Sequence, residues 1–181
     1  QRHPALRVEL ILGHAQVDLT RREADVALRV LDAHNPDAHP DHIMHRVGPM
    51  QFEIYAARSL LKGLKGSQAD RVDWRAIDHV GWDTGSRHLA LARWLESNFT
   101  RPAVLSSNSM STHLQWIRSG LGVGMLPRFV AAQEPTLIRL PVEDPPRREL
   151  WLVYHRDLKS SLRVRAVRQF VEDVVPGALK G

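Results

Sequence analysis

Residues 103–127, AVLSSNSMSTHLQWIRSGLGVGMLP, constrain the fold more than any other stretch of this chain. A short apolar, extended segment (103–105) runs into Ser106, Ser107, Asn108, Ser109 and Ser111. These are side chains that cap helix N-termini, because their oxygens accept from first-turn amides. Met110, Leu114 and Ile117 follow at helical spacing and give one apolar face. Gly120 stands where a helix C-terminus favours a residue at positive φ. Residues 123–126 then read as a buried strand, and Pro127 stops it. The order is strand, capped helix, glycine turn, strand. A helix start with free amides at the carboxyl end of a strand suits a small anion, since the amides and the helix dipole both point outward. The segment offers a place to bind and no evident catalyst.

The same alternation extends along the chain. Residues 6–12 (LRVELIL) read as a strand, 17–23 as a short helix or turn with Asp18 able to cap, and 24–30 (ADVALRV) as a second buried strand. Residues 34–41 form a loop broken by Pro36 and Pro40. An extended run over 43–57 is expected to be interrupted at Gly48-Pro49 and buried at Phe52, Ile54 and Tyr55. A short helix over 59–65 and a polar loop over 65–71 follow. Residues 77–82 read as a strand that enters a polar turn, Asp83-Thr84-Gly85-Ser86, and then a helix over 86–99 with Leu91, Trp94 and Leu95 inward. After Pro127 come a short helix carrying Phe129 and Val130, strands over 137–142 and 149–155, and a last helix over 160–175. Val164, Val167, Val171 and Val174 stripe that helix, and Pro176-Gly177 is expected to end it. Alternating strands and helices predict an α/β fold. Extended crossings near 51–55 and 149–154 divide the chain into residues 1–51 with 151–181, and 52–150.

Composition excludes several chemistries. The 181 residues include no cysteine, so thiolate metal sites, disulfides, cysteine nucleophiles and thiol redox sensing are ruled out. Lys+Arg exceeds Asp+Glu by 25 to 20, and the basic residues are scattered. No basic stripe or reading helix is visible, so this chain is not expected to touch DNA itself. No apolar run approaches a membrane span. The chain opens on Gln1 with no leader, and we expect it to be part of a longer one. The glycines of GLGVG (120–124) follow a helix and precede a strand, the reverse of a dinucleotide fingerprint, and read as a tight turn. His34, His39, His42 and His45 crowd one loop with Asp37 and Asp41 in no recognised ligand spacing, so a solvated loop is preferred to a metal site. Asp83, Ser86 and His88 hold the residue types of a hydrolytic triad without a nucleophile elbow. Asp83 and Ser86 read as helix caps and His88 as an exposed helical residue. No catalytic residue, metal or cofactor is assigned.

Two polar helix starts remain, Asp83-Thr84-Gly85-Ser86 and Ser107-Asn108-Ser109, each after a strand. In a parallel sheet both would lie at one edge, where ligands of open α/β sheets bind. Arg29 and Val30, at the end of ADVALRV, would face that edge from the other lobe. The Arg29 guanidinium is suited either to a ligand carboxylate or to a structural ion pair.

These segments resemble the effector-binding domain of LysR-type bacterial transcriptional regulators. VDLTRREADVALRV (17–30) is similar to the segment leading into that family's D-x-A-x-R strand. FEIYAARSLL (52–61) is similar to its crossing strand and following helix. SNSMSTHLQWIRSGLGVGMLP (107–127) is similar to its helix closed by G-x-G-x-x-x-L-P. LWLVYHRDLKSSLRVRAVRQFV (150–171) is similar to its return strand and last helix. The resemblance implies two Rossmann-like lobes joined by two crossing strands, as in type 2 periplasmic binding proteins. It also implies that the first strand and most of the first helix of lobe one are missing here. By the same resemblance a small effector, read from the charge as an organic anion, sits between the lobes of a homodimer or tetramer. DNA would be bound through a separate winged helix-turn-helix outside this chain. The pocket residues it carries over are Arg29, Val30, Trp82, Asp83, Thr84, Ser107, Asn108 and Ser109. The expected setting is the cytoplasm, with no membrane contact. The alternative is a solute-binding protein of a transport system with the same two-lobe plan.

Overall fold

The structure is a computed structural model that describes residues 3–13, 17–32, 39–63 and 73–179. The chain forms two compact units, Gln1–Met50 with Arg148–Lys180, and Gln51–Arg147. In the first unit, strand β1 (Ala27–Asp32) runs antiparallel to β7 (Arg147–His155), with Arg29 opposite Trp151 and Val30 opposite Leu150. The first part of β2 (His42–Ala57) lies on the other side of β7. Arg46 makes two short hydrogen bonds to the Glu149 carboxylate, 2.7 and 2.6 Å, and His45 Nε2 meets the Tyr154 hydroxyl at 3.2 Å. Helix α5 (Leu162–Ala178) is capped by the Ser161 hydroxyl and buries Val164 and Val171.

Several expectations for this unit are corrected. Residues 6–12 form no strand, and Val8, Leu10, Ile11 and Leu12 are 65–85% exposed. An alternating segment becomes a strand only when a neighbour completes its ladder, and no described strand pairs with it. β1 is an edge strand with Leu28 half exposed rather than a buried one. β2 runs unbroken through Gly48-Pro49, because a proline is tolerated where its missing N–H breaks no ladder bond. Residues 17–23 take the turn of the two forms expected for them: Asp18 Oδ1 accepts from the Thr20 and Arg21 amides, and Arg22 takes φ 58°. Helix α5 passes Pro176, because proline deletes only its own donor; Leu179 still donates to the Val175 carbonyl at 3.0 Å.

In the second unit the rest of β2 pairs antiparallel with β5 (Gly124–Pro127) on one side and β6 (Leu137–Leu140) on the other. The short strands β3 (Val80–Gly81) and β4 (Leu105–Ser106) are parallel, and His79 bridges to Val123 in the same sense. Helix α1 (Arg58–Gly63) follows β2, α2 (Ala90–Asn98) precedes β4, α3 (Met110–Arg118) follows it, and α4 (Arg128–Ala131) follows β5. Tyr55, Val80, Ile117, Leu126 and Ala131 form the core, with Met110 and Leu114 of α3 packed on it. Gly120 takes φ +76° and closes α3 as its position predicts. The polar loop expected over 65–71 lies outside the described residues, as does His34.

Candidate functional site

The site is built on two parallel strand ends. Register pairs Val80 with Leu105 and Gly81 with Ser106, so β3 and β4 deliver their carboxyl ends to one edge. The Ser107 amide donates to the Gly81 carbonyl at 3.1 Å and carries the pairing one step further. From that edge the chain turns to Trp82, Asp83 and Thr84 on one side and to Ser107, Asn108 and Ser109 on the other. These six expected residues are therefore brought together within the second unit. Arg29 and Val30 belong to the first unit. There Arg29 Nη2 donates to the Val17 carbonyl at 3.0 Å, and the Val30 carbonyl accepts from Arg148 at 2.9 Å.

The hydroxyl cluster does what its residue types predict. Ser109 is the N-cap of α3, and its Oγ accepts from the Thr112 amide at 3.3 Å. Ser107 Oγ accepts from the Ser109 amide at 3.1 Å, which tightens the approach to the helix. Ser109 and Ser111 hydroxyls lie 2.9 Å apart. The amides of Met110 and Ser111 precede the first intrahelical bond and point out of the helix start, the arrangement that attracts an anion.

The second polar turn differs. Residues Thr84–Ser86 form one turn of 3-10 helix, and α2 begins only at Ala90, whose N-cap position is Leu89. Asp83 stands before the turn without a side-chain cap bond, and its Oδ1 is enclosed with no hydrogen-bond partner among the described residues. So Asp83 and Ser86 do not cap a long helix; Ser86 is buried and donates its amide to the Asp83 carbonyl at 3.0 Å. His88 is exposed and its Nδ1 donates to the Gly85 carbonyl at 3.1 Å. One helix start, that of α3, therefore faces this edge.

Sequence reasoning missed His113. It is 1% exposed, and its Nε2 donates to the Ser107 carbonyl at 2.9 Å, which fixes the Nε2–H tautomer. Its ring meets Trp82 nearly edge-on at 4.8 Å. The imidazole thus braces the serine turn from below and the indole from the side. The signal was present: position 113 falls on the apolar face between Met110 and Ile117. Behind the site, burial holds His79 at a pKa of about 4, with Asp78 opposing and Arg101 reinforcing the shift. The site offers amides, hydroxyls, an indole face and a carboxylate. Ser107 Oγ and His113 Nε2 are engaged with backbone groups, which is positioning geometry rather than a nucleophile beside its base. A separate cleft of about 550 Å³ in the first unit is lined by His3, Leu6, Arg7, Leu162, Arg163 and Ala166 and includes none of the candidate residues. Among the described residues no group of histidines and carboxylates is arranged to hold a metal ion, and no helix is long and apolar enough to cross a membrane.

A sequence model of the LysR substrate binding domain matches residues 1–176. The chain belongs to the LysR substrate-binding domain family. Its fold is accordingly the periplasmic-binding-protein-like α/β fold of LysR regulatory domains. Solved LysR-type structures agree. The CrgA regulatory domain of Neisseria meningitidis matches with a TM-score of 0.76 at 20% identity, covering 95% of this chain and 85% of that one. The effector domain of AmpR of Pseudomonas aeruginosa matches at 0.70 and 14%, covering 99% of this chain and 86% of that one. Among curated proteins, the HTH-type transcriptional activator TtdR of Escherichia coli (strain UTI89 / UPEC) is 24% identical over 178 residues, 93% of this chain and 55% of the relative. The chain thus spans about half the length of the curated relatives it matches.

Proposed function

We propose that this chain is the ligand-sensing part of a LysR-type transcriptional regulator and that it binds a small organic anion. The α3 start, with Ser107, Asn108 and Ser109, receives the acid group; Trp82, Asp83 and Thr84 line the same wall; Arg29 and Val30 are the candidates that the first unit contributes. The observation that carries this reading is the capped N-terminus of α3 beside the parallel ends of β3 and β4. An effector that favours one arrangement of the lobes shifts their populations and so alters how a homodimer or tetramer holds DNA through a separate winged helix-turn-helix. The protein works in the cytoplasm and catalyses nothing. Family membership favours this regulator over the solute-binding alternative.

A panel of mono- and dicarboxylic acids, screened by thermal shift and followed by calorimetry, tests the reading. At a hundredfold excess over Kd, a true ligand adds about 2.7 kcal/mol of stability. Asn108→Asp sets a negative charge at the helix start and is expected to abolish the shift. Stabilisation by no member of the panel, or an unchanged shift in the variant, would overturn the site.

A further inference from the structure

We propose that the first-unit ends of β2 and β7 form a clasp around His42 that opens in mild acid. His42 is the first residue of β2 and His155 the last of β7, the two strands that carry the chain between the units. The sequence places His42 in a solvated loop; instead both of its ring nitrogens are enclosed and lack a hydrogen-bond partner among the described residues. The residue is half-buried, but a neutral imidazole carries one donor and one acceptor, and leaving either enclosed and unpaired is costly. Adding a second N–H, with its charge, makes the site worse.

The surroundings are stitched from both strands. The His39 ring lies 4.5 Å from that of His42, and its Nδ1 accepts from the Asp41 amide at 3.3 Å. His155 Nδ1 accepts from the Asp157 amide, also at 3.3 Å. The Arg156 amide donates to the Asp41 carbonyl at 2.8 Å, and the Arg156 guanidinium pairs with the Asp41 carboxylate at 3.3 Å. The start of β2 and the turn after β7 are thereby tied into one knot. The charged and titratable groups facing His42 are Arg29 from β1, His39 and Asp41 from its own turn, and His155 from β7. Among the described residues the facing carboxylate is that of Asp41, and it is already shared with Arg156. Burial first, then His39, Arg29 and His155, hold the His42 pKa below 6.5, against Asp41. The clasp is therefore at full strength above the ordinary imidazole value and weakens as pH falls below it. Arg29, whose charge acts on His42, is also a proposed effector contact, so on the proposed function acid would disturb the first unit at a ligand residue.

Hydrogen exchange and imidazole NMR on the 181-residue chain, between about pH 7.5 and 5.5 where histidines titrate, test the clasp. In the wild type, amides of residues 39–44 and 152–157, corrected for intrinsic rates, are expected to exchange faster at the lower pH, while those of 123–127 do not. Over this window the gain should be at most about tenfold, the limit set by an open-state imidazole near 6.5. His42→Phe keeps a ring without a titrating group and should remove this response. His45→Gln, on the same strand with Nδ1 3.7 Å from the Glu172 carboxylate, should keep it. If His42→Phe fails to fold, the wild-type titration decides alone. A His42 midpoint at or above the ordinary value, or a full acid response in a folded His42→Phe, would overturn the proposal.

Discussion

Gly124 does more for the second unit than its neighbours in the GLGVG run suggest. A Cβ built there would lie 2.5 Å from Val80 Cγ2 and 2.6 Å from Ile117 Cδ1. Both residues are fully buried, so neither can retreat. Gly124→Ala is expected to destabilise by about 1–3 kcal/mol, the usual cost of overpacking, read as a lower denaturant midpoint with an unchanged slope. The positive φ of Gly120 follows from its place after an apolar helical stripe, whereas the crowding at Gly124 depends on which strand lies beneath it. His79 teaches the same lesson. As sequence it is one residue of an apolar run; in the fold it is buried with its ring stacked 3.8 Å from Phe99. Its pKa falls from 6.5 to about 4, so the folded state prefers the neutral ring. Stability from this group is complete above the unfolded value and is lost as pH drops toward the folded one, on the order of 3 kcal/mol in all. Chemical denaturation of wild type and His79→Leu at either end of that window should show the wild type losing stability and the variant losing much less.

At the scale of elements, the segments bracketed by chemistry of their own were readable. Helix α3 has a cap before it and a glycine after it, and both ends fall where those residues place them. Ser109→Ala removes the Oγ that accepts from the Thr112 amide and should cost about 1 kcal/mol, measured by thermal melting. Ser107→Ala loosens only the approach to the helix and should cost less. The proposed ligand's affinity should fall in both, because the amides it would use are held in place by these hydroxyls. Helix α2 has no such bracket. Asp83 and Ser86 are capping types, yet the turn they start closes after one revolution, and the helix begins at Ala90 without a side-chain cap. Capping residues mark where a helix can begin, and local hydrogen bonding decides whether it does. Pro176 errs the other way: in the last turn of α5, the loss of one donor does not end the helix.

Whole-molecule features depend on pairings that no local pattern contains. The site edge joins β3 to β4 across about two dozen residues of α2 and its flanks, and β2 reaches β5 and β6 across more than twice that distance. The six candidate residues of the second unit were readable because parallel α/β order alone puts strand ends at one edge. The enclosed ring of His42 was not, since what packs on a histidine is decided by what folds over it, and His113 was signalled only by its place on the apolar face of α3. The failed strand over 6–12 has a consequence for the molecule in solution. The alternation there made no strand, and Val8, Leu10, Ile11 and Leu12 stand in the open beside no described strand. A run of exposed apolar residues that no described strand pairs is a template for contact with another copy. The net charge of +5 opposes such contact, and salt screens that repulsion over about 10 Å at 0.1 M. The 181-residue chain should therefore associate as concentration and salt rise, seen as increasing light scattering at constant helix content. Leu10→Lys with Leu12→Glu interrupts the run at two exposed positions and should suppress the scattering while leaving the melting temperature within a degree or two, because neither side chain contributes to a core. Scattering that persists in the double variant would place the adhesive surface elsewhere, with exposed Phe170 and Val174 of α5 the next to substitute.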